Sequence, residues 1–143
     1  MSLKIRPEQV QAFQPIAEAG FVRRLTDYVR KVHGDAIVRI PSGAMSIAQV
    51  PTTVLSIMIQ NGIARGRRYG LSWESSLAAF VVIMIIAAPN FDEHPLIQRV
   101  LRQDDAAPER RIDGIWRRIS SQNWKAVESY YDPGAWGLHG DKE

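Results

Sequence analysis

Apolar residues at Val10, Phe13, Ala17, Phe21, Leu25, Tyr28, Val29 and Val32 recur in steps of three and four, the spacing of one helical face. Pro7 fits the first helical position and Gly34-Asp35 the stop. Pro15 lies inside this pattern; it has no N–H to donate and crowds the preceding turn, so a kink or a split is expected there. The stretch from Ala36 to Gly43 has no helical period, and Pro41-Ser42-Gly43 is loop chemistry. It reads as a connector with a short extended piece at Ile37–Ile40.

A second helix is predicted from Pro51-Thr52 to Tyr69, with Val54, Ile57, Met58, Ile59 and Ile63 as core candidates. Gly70 suits the left-handed position after its end. Ser72 is placed to cap a third helix holding Trp73, Leu77, Phe80, Val81, Met84 and Ile85. That helix is apolar almost all round, which predicts a central position contacted from several sides. Pro89-Asn90 ends it. His94-Pro95 opens a short fourth helix with Leu96, Val100 and Leu101, which Asp104-Asp105 closes. Pro108 starts a fifth, with Ile112, Ile115, Trp116 and Ile119. Trp124, Val127, Tyr130 and Tyr131 mark a last helical segment before Asp132-Pro133-Gly134. Short connections between successive helices favour antiparallel neighbours. The expected fold is therefore all-α: a compact bundle of five or six helices around a central apolar helix at about residues 72–87. Residues 1–134 form one domain in this reading, and 135–143 form a loosely held tail.

Composition narrows the function classes. A chain of 143 residues falls in the usual single-domain range, and 45% apolar with 23% charged residues suits a globular protein. The absence of cysteine removes disulfides, thiolate metal sites and cysteine nucleophiles. The uncharged run Leu77–Ala88 has twelve residues, short of the roughly 20 a membrane-spanning helix needs. The N-terminus has no apolar core or cleavage site of a signal peptide, so a cytoplasmic location is the expectation. The net charge of +3 is too small to indicate a nucleic-acid binder by itself. All but four of the 18 basic residues are arginine, which suits bidentate ion pairing and stacking on aromatic rings.

Four groups of residues invite a chemical reading. In Asn90-Phe91-Asp92-Glu93-His94-Pro95, two carboxylates and an imidazole resemble an acid–base or metal set. Adjacent residues rarely converge on one ion, however, and acidic residues are favoured at helix starts. Arg65-Gly66-Arg67-Arg68 ends the second helix, where arginine complements the negative pole. Arg110, Arg111, Arg117 and Arg118 flank the core positions of the fifth helix. Together with Trp124 they are the candidate partner-binding residues, because arginine and aromatics dominate interaction hot spots. His33, His94 and His139 lack metal-ligand spacing, and neither a nucleophile elbow nor a phosphate loop occurs. No catalytic, metal or cofactor site is predicted.

From Gly62 to Pro95 the order Gly62-Ile63, Arg65, Tyr69-Gly70-Leu71, Glu74, Phe80, Met84, Pro89, Phe91-Asp92, Pro95 carries a family resemblance. So do Pro7-Glu8-Gln9, Phe21-Val22 with Arg24-Leu25, and Arg110 to Trp116. Across about residues 5–120 the chain resembles small helical accessory proteins encoded beside effectors, PAAR-repeat tips and their chaperones in bacterial type VI secretion clusters. It departs from that pattern at Ala88, where a glycine usually precedes the proline, and at Gly66, where alanine is usual. The resemblance implies a non-enzymatic co-chaperone or adaptor for a secreted effector, its tip protein or its chaperone. An immunity protein against a cognate toxin, a small nucleic-acid-binding helical domain and a hydrolase using Asp92, Glu93 and His94 are the alternatives. The apolar faces of Val54–Ile63 and Leu77–Ile86 leave a homodimer open. Helix rise puts Arg65 and Asp92 at opposite ends of the third helix, about 20 Å apart. No direct bond between them is expected, and Asp92 is assigned to capping the fourth helix or to another arginine.

Overall fold

A computed structural model describes residues 7–102 and 107–138, with side chains from Glu18 onward except those of Glu109, Trp116 and Arg117. Helix α1 spans Pro7–His33, and its backbone is helical through Pro15, so the expected split does not occur. The chain then forms a hairpin of two short strands, β1 (Ile37–Ile40) and β2 (Gly43–Ser46). They pair antiparallel with Val38 opposite Met45 and Ile40 opposite Gly43. The fold is mostly helical but not purely α. Val38 and Ile40 turn into the core while Ile37 and Arg39 face outward, the period-two alternation of a half-buried strand. With four residues per strand, that alternation is too brief to stand out in the sequence.

A 3₁₀ turn at Ile47–Gln49 leads into α2 (Thr52–Arg67). Arg30 of α1 holds this connection from below: its guanidinium donates to the carbonyls of Ile47, Ala48 and Val50 and to Thr52 Oγ1. One planar fork thereby satisfies a run of carbonyls outside any ladder. Helix α3 (Glu74–Ile86) returns antiparallel to α2. The two approach closely because Gly62 lies against Val81 and Met84, and Gly66 against Leu77 and Phe80. Between them Gly70 takes the left-handed φ of +86° expected of it. The N-cap of α3 is Trp73 rather than Ser72.

Helix α3 also meets α1, α5 and β1, and Leu77, Phe80, Val81, Ile83, Met84 and Ile85 are buried. Four expected core positions are not. Trp73 is 63% exposed, and Tyr28 and Val32 of α1 are about half exposed. On α2, Leu55 takes the buried place while Ile57 faces out. After a 3₁₀ turn at Phe91–Glu93 come α4 (Pro95–Leu101), α5 (Pro108–Arg118) and α6 (Ser121–Ser129). Ser120 caps α6 by accepting from the Asn123 N–H at 3.1 Å.

The segment expected to be a loose tail is packed as far as it is described. Pro133–Trp136 forms a 3₁₀ turn that brings Trp136 to 1% exposure. The Trp136 indole N–H donates to Tyr131 Oη at 3.0 Å, and Asn61 Nδ2 donates to the Trp136 carbonyl at 2.9 Å. Buried Asn90 fastens the approach, donating to the Tyr130 carbonyl at 3.0 Å and accepting from the Asp132 N–H at 2.9 Å. Tyr131 also stacks under Arg39, whose guanidinium lies 4.2 Å from the ring centre.

Candidate functional site

The densest polar arrangement lies where α2, the Phe91–Glu93 turn and α4 meet. Asp92 is 1% exposed and its carboxylate is fully engaged. Arg65 Nη1 donates to Oδ1 at 3.1 Å and to Oδ2 at 2.9 Å, and Tyr69 Oη donates to Oδ2 at 2.8 Å. The expectation that Arg65 and Asp92 stay apart is thus overturned. The chain leaves the far end of α3 but then doubles back along it. Phe91 packs against Phe80, more than a turn inside α3, with ring centres 4.8 Å apart and the planes tilted by 54°. That return carries Asp92 toward the α2 end that holds Arg65.

Gln98 of α4 extends the network, donating through Nε2 to the Asp92 carbonyl at 2.7 Å and to Tyr69 Oη at 3.0 Å. Glu93, half exposed, adds a second carboxylate to Arg65 at 3.2 Å. Burial would lower the Arg65 pKa, but the charges and hydrogen bonds of Asp92 and Glu93 outweigh it and hold it above its ordinary value. Burial, then the hydrogen bond and charge of Asp92, push the Tyr69 phenol up to about 12. The network keeps a charged guanidinium, a bonded carboxylate and a neutral phenol in fixed places.

The three residues of the suggested acid–base set go separate ways. Asp92 points inward and Glu93 outward. His94, not Asp92, caps α4: its Nδ1 accepts from the Leu96 N–H at 3.2 Å, and its ring meets Tyr130 edge-on at 5.1 Å. Among the described residues no three His, Asp or Glu side chains are grouped to hold a metal. No helix among them is long and apolar enough to cross a membrane.

Beside Tyr69 the surface opens into a cleft of about 350 Å³ lined by Arg68, Tyr69, Leu101, Arg102 and Arg111. Arg111 is therefore drawn away from the rest of its sequence cluster to join arginines from α2 and α4. Arg110 and Arg118 are exposed, and the Arg117 side chain lies outside the described residues. Arg118 lies back over Gly114, its Nε 3.7 Å from where a Cβ there would sit. Trp124 is half-buried and packs against the core. The sequence offered one usable signal for the cleft, the arginines at the helix ends, but not that three helix ends meet. In comparison with known proteins, no family model, no curated protein and no solved structure matches this chain.

Proposed function

We propose that the chain is a non-enzymatic accessory protein, a co-chaperone or adaptor that works by holding a protein partner. One observation carries this reading: a strip of aromatic, apolar and arginine side chains left facing solvent. Arg24, Tyr28 and Val32 follow one another at single-turn spacing on α1, the last two 47% and 53% exposed. Arg24 binds Glu74 through two hydrogen bonds of 3.1 and 3.2 Å, and Trp73, the residue before Glu74, is 63% exposed. Trp, Tyr and Arg are the residue types that anchor protein interfaces.

In this reading the helices gather round α3 as their pillar and act as a rigid mount for that strip. The resemblance supplies the candidate partners, a type VI secretion effector, its tip protein or its chaperone, met in the cytoplasm. The test is co-purification of the tagged full chain with each candidate expressed from the neighbouring genes. Trp73→Ala and Tyr28→Ala should each abolish recovery, while Arg110→Ala and Arg118→Ala should not. Recovery of none of the candidates counts against the adaptor reading.

A further inference from the structure

One imidazole, that of His94, touches two helices at once, and the partner-binding strip on α1 makes no use of it. Pro95, which follows it, has no N–H, so Leu96 carries the first backbone donor of α4. The next two N–H groups, of Ile97 and Gln98, reach the His94 carbonyl at 3.0 and 2.8 Å. Leu96 is left to the side chain, and His94 Nδ1 accepts from it at 3.2 Å. The same ring meets Tyr130 edge-on, with centres 5.1 Å apart and planes at 75°. Tyr130 is the residue that closes α6, and its carbonyl is held by Asn90. One side chain thus links the start of α4 to the end of α6.

This link depends on where a proton sits. A neutral imidazole has one nitrogen that donates and one that accepts, so accepting at Nδ1 places its proton on Nε2. The imidazolium donates from both. A proton on Nδ1 would set two N–H groups facing each other across the present contact, and the ring would have to turn away. Leu96 would then lose its acceptor, and Tyr130 its edge contact. The new charge would also lie at the positive end of a helix. Asn, Asp, Ser and Thr are the usual caps; histidine is the side chain that ordinarily changes charge between roughly pH 5 and 8.

The charged groups around His94 do not alter that outcome. From the 3₁₀ turn, Asp92 and Glu93 precede it in the chain, and both are bonded to Arg65 of α2. From the end of α6, Tyr130 faces it. No carboxylate is ion-paired with the ring among the described residues. A carboxylate brought close would favour the imidazolium and so would release the cap at higher pH, not preserve it.

We propose that His94 is an acid-operated latch: the neutral imidazole fastens the start of α4 to the end of α6, and uptake of a solvent proton at Nδ1 releases both contacts. The freed turn leads directly to Gln98, whose amide spans the Asp92 carbonyl and Tyr69 Oη. Opening therefore begins at the edge of the buried network.

The test is amide exchange of the full chain at about pH 8 and about pH 5.5, a window that titrates imidazoles, with each rate corrected for intrinsic exchange. Protection of the Leu96 N–H should fall about fivefold on acidification, the worth of one N-cap. His94→Asn keeps a side-chain acceptor at both pH values, so its protection there should stay level. His33→Asn should show the wild-type fall. Imidazole nitrogen shifts of the wild type should place the His94 proton on Nε2 at the higher pH, and Tyr130 ring shifts should follow the His94 titration. Level protection in the wild type, an equal fall in His94→Asn, or a proton on Nδ1 at the higher pH overturns the proposal.

Discussion

Arg65 and Asp92, 27 residues apart in the chain, are joined by two hydrogen bonds of 2.9 and 3.1 Å from a single guanidinium nitrogen. The contact ties the end of α2 to the turn after α3, and it is largely out of solvent, with the side chains 14% and 2% exposed. Removing one partner of such a pair leaves the other charge buried and uncompensated. Arg65→Ala should therefore destabilise the protein by about 3 kcal/mol. Asp92→Asn, which keeps an acceptor for Tyr69, should cost less. Urea denaturation of both single variants and the double variant gives the coupling, and a coupling near zero would mean the pair does not hold the turn.

Tyr69 gives the network a pH signature. Its folded pKa of about 12 stands above the unfolded value of 10, so the protonated phenol is favoured by folding. Its contribution is complete below pH 10 and is lost as pH rises from 10 through about 12. The wild type should thus lose stability across that window faster than Tyr69→Phe, measured by urea midpoints. Tyrosinate absorbance should show one late-titrating tyrosine that the variant lacks. Parallel pH curves for the two proteins would contradict the assignment.

Close approach of α2 and α3 depends on two glycines. A Cβ at Gly62 would lie 3.0 Å from both Val81 Cγ2 and Met84 Sδ, and one at Gly66 would lie 3.1 Å from Leu77 Cδ2. Alanine gains about 1 kcal/mol of helix propensity, but overpacking a filled interface costs about 1–3 kcal/mol. Val81 is stiff, so Gly62→Ala should be destabilising on balance, by about 1 kcal/mol. Thermal denaturation decides it; a raised melting temperature would show that the helices separate freely.

Arg30 is the clearest case where lysine cannot replace arginine. Its fork serves three carbonyls and one hydroxyl, whereas an ammonium cannot span them in one plane. Arg30→Lys should cost about 1–2 kcal/mol and speed amide exchange across residues 47–52. Exchange unchanged there would remove Arg30 from its bracing role.

Asn90 anchors the final turns through both faces of its amide. Asn90→Ala leaves the Tyr130 carbonyl and the Asp132 N–H without that partner, at a cost of about 2 kcal/mol. Exchange protection should fall in residues 130–138 before it falls in α2 or α3. Uniform loss across the chain would mean that Asn90 acts on the whole core instead.

Local punctuation made most of the helices readable. Pro7, Pro95 and Pro108 sit at first turns, and Gly70 takes positive φ where a stop was needed. The misses have one cause in common: each depends on where the chain travels, not on what it is locally. The return after α3 puts Asp92 beside Arg65, and no periodicity encodes a return. Trp136 lies in a glycine-containing stretch whose apolar content looks negligible until its neighbours from α2 and β1 are in place. Tyr28 and Val32 keep the helical spacing of a core face, yet lie at its edge near the end of α1. The cleft arginines were visible as a composition bias, and their convergence came only with the tertiary fold.

Trp136 fills the core from nearly the last turn that the structure describes, and it is held there by Asn61, a residue made 75 positions earlier. A ribosome-bound chain therefore carries an unfilled hole, and the oily residues around it, until Trp136 has emerged. Premature stops between Asp132 and Trp136 should yield proteins that quality-control proteases clear, even though each retains α1 to α6.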